Sequence, residues 1–133
     1  MRLEDLKNKP IAILGSGAVG KTIAADCKLG GAKDVRLYGS EEFAESSLKG
    51  LDKTGILLDG IQRNRDGFER SGRAFLDLVS TDMSKVVKDA GIICICTTAL
   101  RHEMMFEKLI PCLRSEERLV LIEEDSFING KVF

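Results

Sequence analysis

The chain has 133 residues, of which 44% are hydrophobic and 31% charged, enough apolar material for the core of one domain of ordinary size. Its 20 basic and 21 acidic side chains leave a formal charge of −1, so no bulk attraction to nucleic acid or to an anionic membrane follows. No apolar run approaches the roughly 20 residues needed to span a bilayer, and the opening Met1-Arg2-Leu3-Glu4-Asp5 is too acidic for a secretory leader, which together suggest a cytoplasmic protein.

Residues 1–10 are polar with leucines at 3 and 6, the pattern of a short helical turn on the domain edge, and Pro10 marks the entry to a first strand, Ile11 to Leu14. Three glycines follow, and a helix is expected from about Ala18 to Leu29, with Val19, Ile23, Ala24 and Cys27 on one face and Gly30-Gly31 ending it. A second strand, Val35 to Tyr38, comes next. Ser40 then reads as the N-cap of a helix with Glu41 and Glu42 in its first turn, ending near Gly50.

Residues 51–71 are the least regular part. Ile56-Leu57-Leu58 is apolar, Asp59-Gly60 and Asp66-Gly67 each mark a turn, and Gln62, Arg63, Asn64 and Arg65 lie between them, which fits a hairpin or a solvated loop. Beyond it the pattern sharpens: Phe75 to Val79 is a third strand, Thr81 or Asp82 caps a helix running to about Ala90, and Ile92 to Cys96 is an unbroken apolar strand buried on both faces. A helix from Ala99 to Ile110, broken at Pro111, and a strand from Leu119 to Ile122 repeat the unit. Strands alternating with helices at this spacing predict an α/β fold. Its parallel sheet is doubly wound, in three layers and a single domain, with five main strands most simply ordered 3-2-1-4-5.

The cysteines Cys27, Cys94, Cys96 and Cys112 sit in or beside apolar segments without the paired spacing of a zinc site. Cys94 and Cys96 lie two apart on one strand, so both point to one face and are expected to pack as small hydrophobes.

The chemistry is concentrated between Ile11 and Ala25. A strand that turns on glycines into a helix aims free backbone N–H groups and the positive end of the helix dipole at one point, which suits a phosphate. Gly15, Gly17 and Gly20 make the dinucleotide fingerprint G-x-G-x-x-G, while Gly15, Gly20, Lys21 and Thr22 also make G-x-x-x-x-G-K-T, the phosphate loop of nucleoside triphosphatases. The second pattern needs Lys21 on the terminal phosphates, Thr22 on magnesium, and a further acid at a strand end. The Ile92 strand offers only Thr97-Thr98 there, although Leu119 to Ile122 runs into Glu123-Glu124. An acid that would bond a ribose hydroxyl at the end of the second strand is replaced by Gly39 and Ser40, which favours NADP over NAD, yet no arginine stands nearby in the sequence and Glu41 and Glu42 follow.

The glycine fingerprint, the glycine-punctuated stretch before Leu78-Val79-Ser80-Thr81-Asp82, and Ala99-Leu100-Arg101-His102-Glu103 after the fourth strand together resemble the N-terminal domain of the opine (octopine and nopaline) dehydrogenases. That family is related to glycerol-3-phosphate dehydrogenase and ketopantoate reductase. The resemblance implies a Rossmann-type NAD(P)-binding domain over residues 1–133. It implies an oxidoreductase that transfers hydride to an imine or carbonyl, with the family's C-terminal helical domain, which supplies the catalytic histidine, outside this chain. The same resemblance puts Gly15, Ser16, Gly17, Ala18, Val19 and Gly20 around the pyrophosphate, Gly39 and Ser40 by the adenosine ribose, and Cys96, Thr97 and Thr98 along the nicotinamide half. Thr98 stands where the family has proline, and Glu123-Glu124-Asp125-Ser126-Phe127 where it has a glycine-rich loop. His102, the only histidine, opens the helix after the fourth strand, and the family's catalytic histidine lies elsewhere, so it is expected to support the site from behind or to lie on the surface. A stand-alone nucleotide-sensing module, working as a homo-oligomer, would have the same fold.

Overall fold

The organising strand is β1 (Ile11–Leu14), whose last three residues are buried. In the computed structural model, which describes residue 6, residues 8–59, 71–115 and 118–122, and the backbone of 127–128 and 131–132, β1 lies at the centre of a five-stranded parallel sheet. To one side stand β2 (Val35–Tyr38) and then β5 (Leu78–Ser80), to the other β6 (Ile92–Ile95) and then β7 (Leu119–Ile122). Counting only these strands, the order is the predicted 3-2-1-4-5. The register is set by Ile11, which faces Val35 on one neighbour and Ile92 on the other.

Between the strands run α1 (Ala18–Leu29), a 3₁₀ turn over Glu41–Phe43, a π-helical turn over Ala44–Leu48, α2 (Leu51–Thr54), the hairpin strands β3 (Ile56–Leu58) and β4 (Gly72–Ala74), α3 (Met83–Val87), and α4 (His102–Leu109), the last flanked by 3₁₀ turns. A small antiparallel pair, β8 (Phe127–Ile128) and β9 (Lys131–Val132), follows β7.

The period-two alternation of the strands builds three layers. Ile13, Val35, Leu37, Cys94 and Cys96 face α1 and its Ala24, whereas Ala12, Leu14, Tyr38, Ile93 and Ile95 face Met83, Val86 and Val87 of α3 and Met105 and Leu109 of α4. Ile13, Leu14, Leu37, Ile93 and Ile95 are fully buried, and each contributes about 2 kcal/mol of transfer free energy. Polar ties hold the elements in register. Arg36 of β2 clasps both carboxylate oxygens of Asp34 at 3.1 and 3.0 Å and donates to the carbonyls of Lys85 and Lys88, satisfying the end of α3. Asp77 accepts from Lys28 Nζ at 2.7 Å and from the Val35 N–H at 2.8 Å, tying α1 and β2 to the entry of β5. Among the described residues no helix is long and apolar enough to cross a membrane.

Several boundaries differ from the sequence expectation. The apolar run from Phe75 to Val79 is not one strand: Gly72–Ala74 pairs antiparallel with Ile56–Leu58, the chain turns at residues 75–77, and only Leu78–Ser80 joins the main sheet. Phe75 is left 51% exposed. The hairpin reading of this region holds, while Gly60, the arginines Arg63 and Arg65, and Asp66-Gly67 lie outside the described residues, as do Leu3 and Glu123 to Ser126. Helix α3 stops at Val87, because Lys88 leaves the helical region with ψ of 121°, and Asp89 follows in a left-handed conformation with φ of 58°; Asp82 is its cap, accepting from the Ser84 N–H. Helix α4 ends at Leu109, and Pro111 sits inside the 3₁₀ turn that follows. Val19 is 49% exposed rather than packed, since Gly20, Ala24 and Ala25 take the buried face of α1.

Candidate functional site

At the carboxyl ends of β1, β2 and β6 the described residues enclose a cavity of about 290 Å³, and a second of about 650 Å³ adjoins it, sharing Tyr38, Ser40, Met104 and Lys108. The floor is the glycine turn, and its three glycines have three different reasons to be there. Gly15 has φ of 128°, and a Cβ on it would lie 2.3 Å from the Cys96 carbonyl oxygen. A Cβ on Gly20 would lie 1.8 Å from the Gly15 carbonyl oxygen, so the first turn of α1 rests directly on the loop. Gly17 has open space where its Cβ would be, and it lines the cavity. Two glycines close the packing and the third leaves the backbone bare to a ligand, the division of labour expected of a dinucleotide-binding turn.

The Lys21 N–H donates to the Gly17 carbonyl at 3.0 Å, and the N–H groups ahead of it in the first turn have no helical carbonyl behind them. They form a positive cradle for a phosphate. Helix α1 has no acid in its first turn to compete for it. Beside the glycine turn, the Thr97 Oγ1 is buried without a hydrogen-bond partner. Leaving such a hydroxyl unpaired costs about 1–3 kcal/mol.

Of the predicted site residues, the structure brings Gly15, Ser16, Gly17, Ser40, Cys96, Thr97 and Thr98 together on the cavity wall. Ala18, Val19, Gly20 and Gly39 are not on it. Gly39 has a packing reason of its own, since a Cβ there would lie 2.7 Å from Ser16 Oγ and 2.8 Å from Leu48. Ser16, 7% exposed, fills that place, and its carbonyl accepts from Ser47 Oγ at 2.6 Å. Ser40 occupies the N-cap position of the turn after β2, but its side chain makes no cap bond, contrary to the sequence expectation.

Thr22 donates its hydroxyl to the Ala18 carbonyl one turn back at 2.7 Å. His102 is half-buried, and its Nε2 lies 3.0 Å from the Thr97 carbonyl, steadying the loop after β6 rather than facing the cavity. Cys94 and Cys96 are buried with their sulfurs 3.5 Å apart and pack in the layer against α1.

Sequence reasoning missed the far wall. Phe43, Ser47, Arg101, Met104 and Lys108 also line the cavity. Arg101 bridges the cleft: its guanidinium pairs with Glu42 and lies 4.6 Å from the centre of the Phe43 ring. Glu42 and Arg101 are 59 residues apart in the chain, so no local pattern could have joined them.

Among solved structures, octopine dehydrogenase in complex with NADH and agmatine superposes with a TM-score of 0.70 at 17% identity, over 85% of this chain and 28% of its own. A PanE/ApbA family ketopantoate reductase from Ralstonia eutropha JMP134 gives 0.66 at 20% identity, over 88% of this chain and 34% of its own. Glycerol-3-phosphate dehydrogenase from Coxiella burnetii gives 0.64 at 18%, over 92% and 34%. No protein-family model and no curated protein matches the sequence. These three kinds of enzyme are the ones the sequence motifs resemble, and the chain spans about a third or less of the length of each. At these identities the likeness is one of architecture: the chain has the Rossmann-type fold that the three enzymes share with it over the matched stretch.

Proposed function

We propose that this chain is the NAD(P)-binding part of an oxidoreductase of the opine dehydrogenase kind. The observation that carries the reading is the contrast among the three glycines: two are sealed by contacts under 2.5 Å to where a Cβ would be, and Gly17 alone stands open at the cavity, next to the unpaired N–H groups of α1. The pyrophosphate would rest on the backbone from Ser16 to Val19. The adenosine end would lie towards Ser40 at the end of β2, and the nicotinamide end along Cys96, Thr97 and Thr98, where the Thr97 hydroxyl lacks a partner. When bound, the nicotinamide supplies hydride, in the whole enzyme to the carbon of an imine formed from a 2-oxo acid and an amine, or of a related carbonyl. What this chain's residues contribute is binding and orientation.

The triphosphatase reading of the same glycines loses its support at Thr22 and Lys21. Magnesium coordination needs the Thr22 hydroxyl turned towards the phosphates, and that hydroxyl is bonded to the Ala18 carbonyl. Lys21 does not line the cavity. The strand order, with β1 between β2 and β6, is also the order of the dinucleotide fold. Calorimetric titration of the chain with NADH and with NADPH tests the proposal. Saturable binding of at least one is expected, and heat from neither would overturn it.

A further inference from the structure

The described lining of the smaller cavity contains two cations, Arg101 and Lys108, and no carboxylate. Both belong to the segment after β6, yet both face the exit of β2: Arg101 touches Glu42 and Phe43, and Lys108 shares the adjoining cavity with Ser40. In a fold that places the adenosine ribose at the end of β2, an acid there excludes a 2′-phosphate and bonds the hydroxyl of NAD instead. Here that place holds Gly39 and Ser40; Glu41, Glu42 and Glu107 line the adjoining cavity, and of these Glu42 is paired with Arg101.

We infer that Arg101 is the residue that makes this chain select NADP(H) over NAD(H), binding the 2′-phosphate with help from Lys108 and the Ser40 hydroxyl. This rests on the dinucleotide reading given above. A guanidinium offers two parallel N–H donors to a phosphate dianion, a stronger match than its single exposed partner provides. Glu42 is 54% exposed on its side chain and returns to water at little cost when released. Contact with the Phe43 ring keeps the guanidinium plane in place through the exchange, since that attraction survives a change of anion. Glu42 therefore acts as a resident competitor, occupying Arg101 until the phosphate displaces it.

Calorimetry with NADPH, NADH, 2′,5′-ADP and 5′-AMP, on the wild-type chain and on Arg101→Ala and Glu42→Gln, tests this. Wild type is expected to bind NADPH at least tenfold more tightly than NADH, with the same preference for 2′,5′-ADP over 5′-AMP. Arg101→Ala should lose at least tenfold for the two 2′-phosphorylated ligands and less than threefold for the other two, and Glu42→Gln should tighten NADPH and 2′,5′-ADP while leaving NADH and 5′-AMP unchanged. Should Arg101→Ala fail to fold, as judged by circular dichroism, the wild-type salt dependence decides. NADPH affinity must then fall more steeply than NADH affinity between 50 and 300 mM salt, about as expected for one additional charge contact. Equal affinities in wild type, equal losses for both dinucleotides in Arg101→Ala, or parallel salt slopes would refute the role of Arg101 while leaving dinucleotide binding intact. Binding of neither dinucleotide would remove both.

Discussion

Replacing Gly17 and Gly20 by alanine, one at a time, separates ligand approach from packing. At Gly17 the added methyl meets nothing within 4 Å, and the backbone, with φ of −76° and ψ of −170°, is open to any residue. Alanine is a poorer N-cap than glycine by about 0.5–1 kcal/mol. It also restricts the unfolded chain, which returns about the same amount. The net change is within about 1 kcal/mol, a shift in melting temperature of under about 5 °C. In the proposed site the same methyl would stand where the pyrophosphate comes closest. Pushing the phosphate out by about 1 Å breaks two charge-assisted hydrogen bonds at about 1.5 kcal/mol each. The dissociation constant for NADPH should rise about a hundredfold. At Gly20 the outcome reverses, because the methyl would lie 1.8 Å from the Gly15 carbonyl oxygen, a backbone atom that cannot rotate away. Overpacking of that severity costs about 3 kcal/mol, so the melting temperature should drop by about 10 °C. Thermal melts followed by circular dichroism, with calorimetric titration of each folded variant, give both numbers. A Gly17→Ala chain that binds NADPH like wild type, or a Gly20→Ala chain that melts like wild type, refutes this account of the turn.

Burial pushes the Asp77 carboxyl up, but the hydrogen bonds from Lys28 and from the Val35 N–H, with the Lys28 charge, outweigh it and hold the group below its ordinary value of 3.8. A lowered carboxylate stabilises the fold above its unfolded pKa and stops doing so as pH falls through the folded one. Denaturant melts of wild type and Asp77→Asn should therefore differ by about 1 kcal/mol at pH 7, with solvent screening already allowed for, and converge only as pH falls below 3.8 through the lowered pKa; a gap that persists once the carboxyl is protonated would contradict the assignment. Arg36→Ala should cost about 2 kcal/mol by the same melts, because it strips the bidentate contact from Asp34 and uncovers the Lys85 and Lys88 carbonyls; a change under 0.5 kcal/mol would show that water replaces it freely. Thr22→Val should leave NADPH affinity within about twofold, with or without magnesium, since its hydroxyl is bonded inside α1; a magnesium-dependent loss would return the triphosphatase reading to contention.

The sheet was legible because its signals are local. Ile11–Leu14, Val35–Tyr38 and Leu119–Ile122 are apolar runs bounded by turn residues, and each is a strand with the boundaries the pattern implies. Alternation with helices then fixed the strand order. The hairpin was legible only in outline: the run from Ala74 to Val79 is nearly continuous in hydrophobicity, and nothing in it marks where β4 leaves one sheet and β5 enters another. Val19 misled for a related reason. Its apolar character fits the face of α1, but Gly20, which carries no hydrophobic signal, occupies the close contact with the loop and rotates Val19 outwards. On the site, the glycine wall was readable because three residues in six positions must satisfy backbone geometry. The wall made by Phe43, Arg101 and Lys108 was not, because the first two lie in 3₁₀ turns and the third on a helix, and no local pattern joins them until the fold sets them at one cleft.

The cleft itself owes its existence to routing. After β1 the chain departs towards α1 on one side of the sheet, and after β6 it departs towards α4 on the other, so two adjacent strands send their backbones in opposite directions. A gap opens between them without any side chain having carved it. Substitution can thus retune what the gap admits, or spoil its chemistry altogether, but only rewiring the order of the strands would erase it. A descendant of this chain under other selection would still carry the gap, ready to be refitted.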